Sequence, residues 1–304
     1  MTRAIVTGSR GQDGSYLTEL LMVRGYEVVG VDRGDVELTS RDDVESLLRD
    51  VGPREIYNLA SPSFVPESWE RPEEVLRVGA LAVGVMLAAV ARVDPAIRFF
   101  QASSAEVFGA ATDVPQTETT PYRPGSPYAA AKACADTLVS SYREHLGLHA
   151  SSGILFNHES PRRPAHFLPA KVARGAAAIA AGRETELVLG NLDAQRDWGY
   201  APDYVEAMWR IVHHDVPGDY VVATGELHSV RELVELAFAH VGLDWREHVR
   251  VDESLVRGEE LPVVGDATKA REVLGWKTQY PDLESIVRTA WEWHQAHPNG
   301  YGAA

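Results

Sequence analysis

The run Thr7-Gly8-Ser9-Arg10-Gly11-Gln12-Asp13-Gly14 sits between a short β-branched stretch, Ala4–Thr7, and a helical pattern over Gly14–Arg24. Glycines at positions 8, 11 and 14 permit a tight turn and a close backbone approach to an anion, and the following helix presents its N-terminal amides to it. This spacing predicts the first unit of a Rossmann-like, doubly wound α/β parallel sheet, with a dinucleotide pyrophosphate over the turn. Gly8, Arg10, Gly11, Gln12, Asp13 and Gly14 are the residues expected to border it.

The first half of the chain keeps the same alternation. Strands are expected at Glu27–Val31, Glu55–Leu59 and Arg98–Ser103, and helices at Asp42–Asp50, Pro72–Ala91 and Ser126–Leu146, the pattern of a parallel sheet covered on both faces. After Gly153–Asn157 it breaks into Glu159-Ser160-Pro161-Arg162-Arg163-Pro164, a basic, proline-rich crossing towards a second lobe. Tyr200–His213 and Tyr220–Ala223 read as a helix and a strand that return to the main sheet. The expected division is interleaved: residues 1–160 with about 198–224 form the dinucleotide-binding domain, and about 161–197 with 225–304 a smaller α/β substrate lobe.

A net charge of −15 and a pI near 5.2 create a field that repels phosphate, so neither nucleic acid nor an anionic membrane is expected as a partner. An anionic substrate must then be held by local arginines. The one cysteine, Cys134, can form neither an intramolecular disulfide nor a structural zinc site, which points to a reducing cytoplasm and to no metal. Gly79–Val90 is the most apolar segment, but Arg77 and Arg92 bracket it short of the roughly 18 to 20 apolar residues of a membrane span. A buried helix packed on the sheet is the expected reading.

Asp32 ends the second strand, where a carboxylate accepts both hydroxyls of the adenosine ribose and repels a 2′-phosphate, which favours NAD. Arg33 and Arg10 are close enough in sequence to bind a 2′-phosphate, so NADP stays open. Asp35 and Val36 are expected beside the adenine, with Leu59 and Ala60 completing the cofactor wall. Tyr128 and Lys132 lie four residues apart, on one helix face. A nearby ammonium stabilises phenolate and lets a tyrosine act as general base on a hydroxyl. The same spacing on a solvated helix carries no chemistry; what gives it weight here is the Gly-rich turn more than a hundred residues earlier. Ser104 and Glu106 follow the carboxyl end of a strand, where open α/β sheets bind ligands. Ser104 is placed to hydrogen-bond the hydroxyl that Tyr128 deprotonates, and Glu106 to remove a proton α to a new ketone.

These features together resemble the extended short-chain dehydrogenase/reductase superfamily. Gly11–Leu17, Gly153–Arg163, Leu189–Gly199, Asp203–Trp209, Ala223–Glu226 and His228–Arg231 narrow the resemblance to the GDP-mannose 4,6-dehydratase family, over nearly the whole chain. The resemblance implies a cycle in which Tyr128 takes the proton of the sugar's 4-hydroxyl while hydride passes from C4 to the nicotinamide. Glu106 then removes the C5 proton, water leaves from C6 and the hydride returns to C6. It further implies that Asn157, Arg162, Lys171, Arg196 and Arg257 surround a GDP-linked sugar, with Ser63 on the sugar side and Glu260 at the guanine or its ribose. It also implies NADP as cofactor.

Three departures accompany the resemblance. Between the second strand and the next helix the chain is about thirty residues shorter than the family pattern, so a strand and an arginine-bearing loop are expected to be missing or reduced there. A homodimer through the Tyr128 helix is accordingly expected before a tetramer. Ala105 replaces a hydroxyl residue beside Glu106, and Pro62 and Phe64 replace a glutamine and a histidine on the sugar side. Both changes keep an alternative open, an epimerase or 4-keto reductase acting on a related nucleotide hexose.

Overall fold

The computed structural model describes residues 1–255, 263–280 and 282–296. Six parallel strands make the main sheet: β1 (Arg3–Thr7), β2 (Glu27–Val31), β3 (Glu55–Asn58), β4 (Arg98–Ala102), β5 (Ala150–Leu155) and β6 (Asp219–Val222). Their order is β6-β5-β4-β3-β1-β2. The chain leaves β1 for β2 on one side and returns to β3 on the other, so the switch point where open sheets bind ligands falls between β1 and β3.

The helices are α1 (Gln12–Val23), α2 (Arg41–Val51), α3 (Pro72–Val93), α4 (Pro127–Leu146), α5 (Leu168–Ala180), α6 (Ala201–His213), α7 (Val230–Val241), α8 (Thr268–Leu274) and α9 (Leu283–Ala296). Successive strand residues point to opposite faces and so enter different cores. Ala4, Val6, Tyr57 and Phe100 pack with α1 and α6, whereas Ile5, Ile56 and Phe99 pack with α2, α3 and α4. By length and composition α3 could cross a membrane. Its Val83, Met86, Leu87 and Val90 are instead buried in the core beneath the sheet.

A separate cluster joins Val172, Leu187, Leu189, Leu233, Phe238 and Val287, from α5, α7, α9 and the short strand Leu187–Leu189. The stretch from Gly225 onward, expected wholly in the substrate lobe, divides between the two cores. Ala267, Ala270 and Trp276 pack on the main core beside Tyr204 and Met208, and the Trp276 indole donates to the Asp203 carbonyl at 2.8 Å. The small side chains of Ala267, which precedes α8, and Ala270 on it let that segment lie close against α6 and β6.

Two further differences have local causes. β5 starts at Ala150, three residues before its sequence pattern begins, because Ser151 and Ser152 are fully buried and mask the strand as polar. Ser151 accepts the Gly218 amide at 3.1 Å, which satisfies its hydroxyl inside the sheet. Between Val31 and Arg41 no strand forms among the described residues, and the sheet ends at β2 as the shortened connection implies.

Candidate active site

The Gly-rich turn is built by backbone geometry that side chains would destroy. Gly8 has φ +69° and donates its amide to the Val31 carbonyl at 2.8 Å, tying the turn to the end of β2. A Cβ on Gly14 would stand 2.1 Å from the Gly8 carbonyl oxygen, so α1 can approach the turn only with glycine there. Gly11 caps α1 without a side-chain acceptor, which leaves the helix amides directed at a cavity of about 1030 Å³ lined by Gly8, Gly11, Gln12, Asp13 and Gly14. Uncapped amides beside a cradle that a Cβ would fill suit a pyrophosphate.

Asp13 brings a carboxylate close to that anion site, and its charge is balanced. His158 Nε2 lies 2.8 Å from Asp13 Oδ2, and the His158 ring stacks on Tyr204 at 4.5 Å. Gln12 donates to the His158 carbonyl at 3.1 Å and accepts from Ser160 at 2.8 Å. The turn is thus clasped to the crossing that carries Asn157 and Arg163. Sequence reasoning named Gln12 and Asp13 as cofactor neighbours and missed their partner, His158.

A second cavity of about 440 Å³ continues past Gly8 and is lined by Asp32, Arg33, Val36 and Ala60. Asp32 accepts from the Ser9 hydroxyl at 2.5 Å and the Arg10 amide at 3.1 Å, while its own amide donates to Asp35 at 2.8 Å. Asp35 therefore shapes the turn. Arg33 and Arg71 both pair with Glu74, and Arg77 pairs with Glu37 at 3.0 Å. Each of these arginines near the ribose end already has a carboxylate.

Behind the cavity a buried polar ladder crosses the strand ends. Thr7 donates to Asn58 at 2.6 Å, Asn58 to Gln101 at 2.7 Å, and the Leu59 and Ala60 amides return to the Thr7 hydroxyl at 3.1 and 3.2 Å. This ladder fixes the loops after β1, β3 and β4 relative to one another. Polar residues at strand ends gave no periodic signal from which to read it.

Ser104, Glu106, Tyr128 and Lys132 all line the larger cavity, together with Leu59, Ser63, Asn157, Lys171 and Arg196. Ser126 caps α4 by accepting the Ala129 amide at 3.1 Å, and Pro127 fills the first turn, so Tyr128 and Lys132 enter the cavity from a fixed helix start. Burial pushes the Tyr128 phenol up to about 12, against a hydrogen bond from Ser104 and with Glu106 adding to the rise. Burial pulls the Lys132 ammonium down to about 8, opposed by Asp136 and Asp13. Lys132 donates to the Ala102 carbonyl at 2.7 Å and lies 5.7 Å from the Tyr128 ring centre. In this state its charge is directed at the strand end, and Tyr128 rests protonated.

Other predicted contacts are arranged differently. Arg162 turns from the cavity to Glu19 at 2.7 Å and Ser15 at 3.0 Å, with its guanidinium over Tyr16. Arg163 lines the cavity in its stead, stacked on Phe167 at 3.7 Å. Phe64 packs against His166 at 4.6 Å and Phe167 at 5.6 Å, forming an aromatic wall on the sugar side. The Ala105 methyl is buried in the main core with Val107 and Phe108 and faces away from the cavity. Arg257 and Glu260 lie outside the described residues.

Comparison with known proteins agrees with this geometry. Residues 5–41 and 34–289 match the family model described as GDP-mannose 4,6 dehydratase. The two segments meet at the short β2–α2 connection. GDP-mannose 4,6 dehydratase 1 of Arabidopsis thaliana is 44% identical over 317 aligned positions, covering 94% of this chain and 87% of that protein. Among solved structures, RMD from Pseudomonas aeruginosa complexed with NADPH shares the fold with a TM-score of 0.86 at 24% identity, over 97% of this chain and 100% of that one. UDP-glucose 4-epimerase from Thermus thermophilus, in complex with NAD, gives 0.84 at 26% identity over 97% and 100%. A match that runs from β1 into α9 decides membership: the chain belongs to the GDP-mannose 4,6-dehydratase family.

Proposed function

We propose that this protein is a nucleotide-sugar 4,6-dehydratase that converts GDP-mannose to GDP-4-keto-6-deoxymannose. The observation that carries the reading is the convergence of Ser104, Glu106, Tyr128 and Lys132 on one cavity that continues into the Gly-rich turn. The cofactor, NAD or NADP, supplies when bound the acceptor that takes hydride from C4 and returns it to C6.

The chain's own residues handle the protons. Tyr128, protonated at rest, first gives its proton up to solvent; as phenolate, favoured by the Lys132 ammonium, it takes the proton of the 4-hydroxyl as C4 becomes a ketone, with Ser104 hydrogen-bonded to the same oxygen. The ketone acidifies C5, and Glu106 removes that proton. Because Ala105 offers only a buried methyl, Glu106 also delivers the proton to the departing 6-hydroxyl, so the C6–O bond breaks with loss of water. The proton held by Tyr128 balances the charge when C5 is reprotonated as C6 receives hydride. Asn157, Lys171, Arg163 and Arg196 hold the diphosphate and sugar, the cationic groups offsetting a chain of net charge −15. The base end lies in the lobe formed by about 161–197 and the α7 and α9 segments.

The paired arginines around Asp32 favour NAD over NADP. For self-association the reading is a homodimer through the Tyr128 helix, supported by the exposed Cys134 on α4 and the exposed Leu76 and Leu81 on α3. The function is tested by mass spectrometry of the protein with GDP-, UDP-, CDP- and dTDP-hexoses and each cofactor separately, without added reductant. A GDP-mannose product lighter by one water is expected. An isomer of unchanged mass, or stoichiometric consumption of reduced cofactor, would replace this reading with an epimerase or a reductase.

A further inference from the structure

Tyr128, Lys132 and Asp136 follow one another at four-residue steps along α4 and share one face of the helix. The first two serve the proposed reaction directly, and the third carries none of its proton transfers. Asp136 is only 3% exposed, yet it carries a carboxyl group into the interior. Its Oδ2 accepts from the Ser103 hydroxyl and from the Tyr122 hydroxyl at 3.2 Å. Its Oδ1 makes no hydrogen bond of standard geometry among the described residues, and the nearby Ser152 hydroxyl, like that of Ser103, favours the ionised carboxylate.

An amide would serve those hydrogen bonds equally well. Asparagine in place of Asp136 could present its oxygen to Ser103 and Tyr122 without the desolvation cost of a buried charge. Burial pushes the Asp136 carboxyl up to about 6, with Ser103 opposing the rise, so at neutral pH the group is still charged. What a charge does there, and an amide cannot, is act on the ammonium one turn away. Lys132 is 4% exposed, and the anionic groups that favour its charge are Asp136 on its own helix and Asp13 from α1. Asp13 already pairs with His158, at 2.8 Å. Around Asp136 the other charged groups are Asp219 at the start of β6 and Arg143, which pair with each other at 2.8 Å.

The second link is mechanical. Ser103 directly precedes Ser104, and its amide donates to the Gly153 carbonyl at 2.9 Å. Through Ser103 the Asp136 carboxylate joins the strand-end loop that carries Ser104 and Glu106 to the helix that carries Tyr128 and Lys132. We propose that Asp136 is a positioning residue of the dehydratase site, whose carboxylate keeps Lys132 an ammonium and ties the Ser104 loop to the Tyr128 helix. The catalytic half of this statement rests on the function proposed above; the half that concerns the charge of Lys132 does not.

The test separates the two. The chain has four lysines, Lys132, Lys171, Lys269 and Lys277, so carbon-13 NMR of the lysine ε-carbons resolves Lys132 by its loss in Lys132→Arg. In Asp136→Asn the Lys132 titration midpoint moves to lower pH by about one unit or more, because the anion that most favours its charge has been removed. The alkaline limb of kcat against pH, measured with GDP-mannose, moves the same way. An unmoved midpoint overturns the proposal, and a midpoint that moves while the kcat limb stays overturns the positioning role. Absence of dehydration by the wild type counts against the proposed function, while the NMR result stands by itself. If Asp136→Asn does not fold, Ser103→Ala takes its place. That change removes the hydrogen bond that favours the carboxylate, so a smaller acid-ward movement of the Lys132 midpoint is expected, and no movement again overturns the proposal.

Discussion

His158 Nε2 lies 2.8 Å from Asp13 Oδ2, joining the first turn of α1 to the crossing between the lobes. Burial disfavours both charges, and each group outweighs that for the other, so the Asp13 carboxyl is held below its ordinary 3.8 and the His158 imidazole above its ordinary 6.5. The His158 contribution to stability is fully present below 6.5 and is lost as pH rises through its raised value. The Asp13 contribution is present above 3.8 and is lost as pH falls through its lowered value. His158→Ala is therefore expected to cost about 1 to 3 kcal/mol near pH 5.5, and less near pH 8.5, where the neutral ring keeps only its hydrogen bonds. Thermal unfolding of both proteins at the two pH values measures this, and an equal loss at each would count against a charged pair.

Gly14→Ala places a methyl 2.1 Å from the Gly8 carbonyl oxygen, and α1 must move away from the turn to relieve it. NAD affinity by titration calorimetry is expected to fall at least about tenfold, with about 1 to 3 kcal/mol lost from stability. A variant that binds NAD as tightly as wild type would show that the turn does not hold the cofactor.

The parts of this molecule that were legible in the sequence are those with a period or a fixed spacing. Alternation of β-branched runs and helical stretches located five of the six main strands to within two residues of their starts, and the Gly8/Gly11/Gly14 and Tyr128/Lys132 spacings located the cavity. Ser151 and Ser152 hid the start of β5, because a buried hydroxyl reads as surface in a hydrophobic pattern. Direction was not legible either: Arg162 and Arg163 are adjacent and alike, and the partners each finds in the fold, Glu19, Ser15 and Tyr16 for one and Phe167 for the other, decide which guanidinium enters the cavity. Asp136 repeats the spacing that links Tyr128 to Lys132, a signal that was present and is easily passed over on a helix with other polar residues.

Tyr128→Phe removes the phenol and leaves the packing of the ring. A lost general base lowers kcat by about 10² to 10⁴, while binding of the nucleotide sugar changes by less than about threefold. Steady-state kinetics with a separate binding measurement distinguish this outcome from a misfolded site, in which both quantities fall together. Equal kcat in the two proteins would remove Tyr128 from the mechanism.

Glu74 neutralises Arg33 and Arg71 beside the second cavity. Wild type is expected to bind NAD more tightly than NADP, and Glu74→Gln to tighten NADP by about five- to tenfold by releasing guanidinium groups for a 2′-phosphate, with NAD little changed. Calorimetric titration with each dinucleotide reads this directly. A wild type that prefers NADP would contradict the assignment.

The central claim is that one chain oxidises C4, eliminates water and returns the same hydride to C6. GDP-mannose carrying deuterium at C4, incubated with the protein and catalytic NAD or NADP, tests all three steps in a single mass spectrum and a deuterium NMR spectrum of the product. The account predicts a product lighter by one water, with the deuterium retained in the new C6 methyl group. A product of unchanged mass, or one from which the deuterium has been lost to the cofactor pool, would contradict it.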